Sequence, residues 1–84
     1  MKAITIIRID EHLEKARKKH PRFTNQGIIE LPSIATEELG EMVKEINNFY
    51  YEPNLKKMVK YRKQAQNEAL DLIAVLVRFI EGEV

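Results

Sequence analysis

Cysteine is missing from the sequence. That excludes disulfide staples, thiolate zinc centres and cysteine nucleophiles, and leaves oxygen and imidazole as the metal ligands on offer. An excess of charge of either sign is missing too. With 14 Lys and Arg against 13 Asp and Glu the net charge is +1, which fits neither a general nucleic-acid binder nor an acidic solvated tail. No apolar run is long enough to span a bilayer: the longest covers 72–77, and the N-terminal run over 3–9 is interrupted by Arg8 and lacks a small-residue cleavage site. The composition therefore reads as a soluble, cytoplasmic protein without a membrane partner. Internal repeats, low-complexity segments and linkers are also lacking. The 84 residues make one domain, 1–84, near the size at which a single core is only marginally stabilising and association with further copies becomes favourable.

What the sequence does hold is helical periodicity. Ile6, Ile9, Leu13 and Ala16 recur at helical spacing and predict a first helix reaching residue 19, ended by His20-Pro21 because proline disfavours helical geometry in the residue before it. The β-branched set Ile4, Thr5, Ile6, Ile7 and Ile9 also allows a short strand pairing with 27–31, the lesser alternative since such a ribbon is marginal alone. A connector to Pro32 carries the turn signal Asn25-Gln26-Gly27. Ser33 then reads as the N-cap of a second helix over 34–50, with Leu39, Met42, Val43, Ile46 and Phe49 as its apolar stripe. Gly40 inside it costs roughly 1 kcal/mol relative to alanine, and a close approach of another backbone is the expected return. Glu52-Pro53-Asn54 breaks the chain before a third helix over 55–81, ended by Gly82. Its first half is basic and its second half apolar nearly all round, a pattern that needs cover on several sides. The expected lengths, about 26 Å and about 40 Å for the second and third helices, point the same way. The fold class expected is all-α, with three helices per chain: a short N-terminal helix plus a long antiparallel hairpin, completing a four-helix-type bundle by homo-oligomerisation as dimer or tetramer.

Chemistry concentrates in two acidic pairs. Residues three apart on a helix share a face, so Glu38 and Glu41 project together, as do Glu68 and Asp71. In an antiparallel hairpin four carboxylates can converge, and like charges that close repel strongly unless a cation sits between them. Hard, oxygen-seeking Mg²⁺ is the natural candidate. Asp71 directly precedes the most apolar segment, where a carboxylate needs a partner.

The arrangement Glu37-Glu38-Leu39-Gly40-Glu41, followed after a gap by Glu68-Ala69-Leu70-Asp71-Leu72, resembles the MazG-like all-α nucleoside triphosphate pyrophosphohydrolase superfamily. The resemblance covers about residues 23–81. It implies a helical homo-oligomer that cleaves an NTP or dNTP to the monophosphate and pyrophosphate with Mg²⁺, or Mn²⁺ in its place. Carried onto matching positions, it implies Glu38, Glu41, Glu68 and Asp71 as metal ligands, with Glu37 as an additional ligand or organiser of water beside the catalytic Glu38 and Glu41. Two features depart from the pattern. Glu45 stands where relatives often carry a small apolar residue, and the chain reaches Val84 without the C-terminal helix that supplies substrate contacts in longer relatives. Such contacts are then expected from elsewhere, from a neighbouring subunit, or not at all.

Candidate substrate contacts are Phe23, for stacking on a base or packing in the core, Lys44, and Arg78, which either meets phosphate or neutralises an acid in the bundle. Lys15, Arg17, Lys18 and Lys19 complement the dipole at the end of the first helix, with phosphate binding as their second reading. His12 and His20 read as surface residues. The alternative function is a non-catalytic helical oligomeric module that keeps the metal-site fold.

Overall fold

The computed structural model describes residues 1–20 and 25–83, and among these every regular element is helical: α1 (Ala3–Lys19), α2 (Asn25–Tyr51) and α3 (Leu55–Ile80). The isoleucines of the N-terminus lie in α1 and residues 27–31 lie in α2, so the strand-pairing alternative is not formed. α1 opens on an extended Lys2 whose carbonyl accepts from the amides of Thr5 and Ile6, and closes with Arg17, Lys18 and Lys19 in its last turn.

The main departure from the sequence reading is the start of α2. The helix begins at Asn25 rather than near 34 and carries Pro32 in its interior. Proline brings no amide hydrogen to the helical ladder, and the turn after it is tied by Thr36, whose hydroxyl donates to the Pro32 carbonyl at 2.6 Å. As a result α2 and α3 have 27 and 26 residues. The expected overhang of the third helix does not exist, and the length argument for a partner copy falls with it.

α3 is bounded as its sequence dictates. Asn54 is the N-cap, its side chain accepting from the Lys57 amide at 3.1 Å, and Glu52 accepts in turn from the Asn54 amide. At the other end the Gly82 amide donates to Phe79 and the Glu83 amide to Arg78, the paired bonds of a Schellman cap. Gly82 sits at φ +77°, a left-handed conformation open to glycine at little cost.

That turn aims Glu83 back at the bundle. Glu83 accepts from Arg17 at 2.7 and 3.1 Å and from Arg78 at 3.2 Å, while Arg78 also donates to the Ala16 carbonyl at 3.1 Å. Arg78 is only 2% exposed, and a charge so deeply buried needs partners of this kind. Arg17, the largest influence, holds the Glu83 carboxyl below its usual range. The clasp fastens the end of α1 to the end of α3.

α3 is the central element, packing on α2 along one side and on α1 along another. The small core lies on it: Leu70, Ala74, Val75 and Ala65, met by Leu13 of α1. A third flank is uncovered. On α2, Leu39, Val43 and Ile46 are each 45% exposed, and Tyr50 continues their line. Steps of four and three residues keep these side chains on one stripe, about a quarter-turn from the stripe facing α3. Beside it, an apolar groove of about 320 Å³ runs between Met42, Ile46 and Phe49 of α2 and Ala65 and Ala69 of α3. Leu76, Phe79 and Ile80 extend the exposed apolar surface on α3. Among the described residues, no helix is long and apolar enough to cross a membrane.

Candidate metal centre

The antiparallel pairing of α2 with α3 brings Glu38, Glu41 and Glu68 together, one carboxylate oxygen from each lying within 4.8 Å of the others. The second oxygens of Glu38 and Glu68 are buried and accept no hydrogen bond among the described residues. Such crowding raises the cost of ionisation. Burial first, then the charges of Asp71 and Glu41, pushes the Glu38 carboxyl above its usual range. Burial also leads for Glu68, followed by its contact with Glu41, and carries that carboxyl to about 7. Two orphaned oxygens in a cluster resisting its own negative charge are relieved by either a proton or a cation. An all-carboxylate donor set is of the kind that a hard divalent ion accepts.

Asp71 lies outside this trio. Its Oδ1 stands 2.6 Å from Nδ1 of His12, across the α1–α3 interface. Of the four carboxylates expected to converge, three do, and the fourth is engaged by a histidine. His12 is accordingly not the surface residue its sequence context suggests: its side chain is 17% exposed.

The pair borders a cavity of about 100 Å³. One wall is α1, contributing His12, Lys15, Ala16, Lys19 and the adjoining His20; opposite stand Ile34 and Glu38 of α2 and Asp71 and Val75 of α3. The Lys19 charge is felt at Glu38, where it partly offsets the upward push. This basic wall had a signal in the sequence, since residues 12, 15, 16 and 19 fall on one helical face.

The other sequence candidates are dispersed. Glu37 is exposed on a shallow depression with Pro32, Ser33 and Thr36 rather than with the carboxylate trio. Lys44 is exposed and is not part of the cavity wall. Arg78 is buried in the clasp, where it meets an acid, Glu83. Phe23 lies outside the described residues. Glu45, one turn beyond Glu41, has a buried oxygen without a hydrogen bond among the described residues. Among the described residues nothing approaches Gly40 closely, so the expected close backbone contact is not made within them. Comparison with protein-family models, with curated proteins and with solved structures gives no match to this chain.

Proposed function

We propose that the chain is a Mg²⁺-dependent nucleotide pyrophosphohydrolase, cleaving an NTP or dNTP to the monophosphate and pyrophosphate. The observation that carries this reading is the convergence of Glu38, Glu41 and Glu68, with an orphaned buried oxygen on Glu38 and another on Glu68. Those three residues would hold the ion, with the free oxygen of Asp71 in reserve. A magnesium ion held there would supply charge neutralisation at the triphosphate and would acidify a water. In this reading the water oxygen bonds to the α-phosphorus as the bond to the bridging oxygen breaks, and the water's proton passes to a carboxylate of the cluster and on to solvent. Pyrophosphate departs with the electron pair of the broken bond, and no protein nucleophile is required. The carboxylates on α2 and α3 give this chemistry a rigid base, because both helices are continuous through the site.

The active form in this reading is a homodimer or homotetramer. Supporting it, the stripe of Leu39, Val43, Ile46 and Tyr50 and the groove beside it lie about a quarter-turn from the α2–α3 contact, where a neighbouring hairpin would complete a four-helix bundle. Incubation with each NTP and dNTP plus Mg²⁺ tests the activity: pyrophosphate should appear and should vanish in Glu41→Gln with helicity unchanged. Orthophosphate release would point to other chemistry. The same uncovered flank favours a second reading, a non-catalytic oligomeric module, which nucleotide binding without cleavage would support.

A further inference from the structure

We infer that the α1 wall of the 100 Å³ cavity is an anion subsite for the phosphate end of the substrate, with Lys15 and Lys19 as its binding residues. The inference rests on the hydrolase reading and deepens it.

Lys15 and Lys19 are one turn apart on one face of α1, and both line the same cavity. Glu38 and Asp71 line the opposite side. A cavity with cations on one wall and the margin of a carboxylate cluster on the other suits a ligand that is itself anionic and carries a divalent cation, which is the description of a magnesium polyphosphate. The bland role of the two lysines, complementing the helix dipole, does not require a cavity; Lys18, in the same turn as Lys19, has the dipole position without the cavity. His12 is kept at the wall by its bond to Asp71, and the C-terminal end of α1 is fastened by the bonds of Arg17 to Glu83 and of Arg78 to the Ala16 carbonyl. The lysines therefore stand on a held element.

Volume limits what enters. A cavity of about 100 Å³ is well short of the several hundred Å³ typical of a pocket for a whole drug-sized ligand. Its size matches phosphoryl groups better than a whole nucleotide, so in this proposal the subsite contributes affinity without reading the base.

The test uses inorganic tripolyphosphate with Mg²⁺ as the probe, measured by calorimetry on the full chain and on Lys15→Gln/Lys19→Gln. Loss of two charge-assisted contacts should weaken binding about tenfold or more. The KM for every dNTP should rise by a similar factor irrespective of base, while Lys56→Gln/Lys57→Gln, on exposed positions of α3, leaves both unchanged. Both lysines are exposed, so helicity should be retained. Tripolyphosphate binding that depends on Lys15 and Lys19 in a protein cleaving no nucleotide would uphold the subsite and sink the hydrolase. Active hydrolysis with KM unchanged in the double variant would overturn the subsite alone, and so would a wild-type chain that does not bind the probe.

Discussion

Glu68 makes folding stability depend on pH in a direction opposite to that of most carboxylates. Its native carboxyl is pushed up to about 7, from 4.5 in the unfolded chain. Between those values the native state holds the proton more tightly than the unfolded state does. Stability is therefore fully present below pH 4.5 and is lost as pH rises toward 7. Taken at face value the gap is worth about 3 kcal/mol, a ceiling that water around a half-buried carboxylate cuts to about 1 kcal/mol. Glu38 shifts in the same direction, whereas the lowered Glu83 acts oppositely and only below its unfolded value near 4.5, so the two effects occupy separate windows. Urea titrations followed by circular dichroism, at intervals from pH 5 to 8 in EDTA, should show wild-type stability declining. Glu68→Gln, which cannot ionise, should flatten that decline. At pH 8, ~10 mM Mg²⁺ should restore about 1 kcal/mol to the wild type if the dissociation constant is near 1 mM, and little to the variant. A decline that persists unchanged in Glu68→Gln, or a wild type most stable at pH 8 in EDTA, would refute the reasoning.

Replacing Gly40 with alanine meets open space within the chain and should stabilise by about 1 kcal/mol, read as a higher urea midpoint; a lower midpoint together with a smaller assembly would place a second copy against that position. Glu83→Gln removes one anionic partner each from buried Arg78 and from Arg17, which keeps Glu14, so unfolding should become easier by about 1 kcal/mol, with fraying of α1 visible in amide exchange. Val43→Lys, in the middle of the exposed stripe, should leave helicity intact and reduce the mass seen by light scattering. An unchanged mass there would remove this flank from the subunit interface.

Much of the helical architecture was legible because it depends on local chemistry. Asn54 and Gly82 marked the ends of α3, and both act as read: one as the N-cap, the other as the left-handed residue of the terminal turn. Residues 25–33 were misread for a reason that is also physical. Gly27, Pro32 and Ser33 carry loop signals, yet Pro32 is accommodated within α2, with Thr36 bonded back to its carbonyl. A local cost of a few kcal/mol for an interior proline is a quantity that packing elsewhere on the helix can offset, and no window of sequence around Pro32 contains that packing.

The site divides along the same line. Glu38 and Glu41 share a face by helical spacing alone, and the antiparallel hairpin supplies Glu68. Asp71 has that spacing too, but its surroundings are decided by α1, whose angle on α3 is set by long-range contacts: Leu13 in the core, and Ala16 and Arg17 in the clasp with Arg78 and Glu83. Once α1 is seated, His12 reaches Asp71, 59 positions away in sequence, and Lys15 and Lys19 arrive on the same cavity as Glu38. The carboxylate trio is thus a property of the hairpin, and the basic wall a property of how the first helix docks. Disturbing the clasp should consequently separate the two: Glu83→Gln is expected to disturb the basic wall before it alters ion binding by the trio. Mg²⁺ titration alongside tripolyphosphate titration of that variant measures the separation directly, and equal losses in both would mean that trio and wall form a single unit.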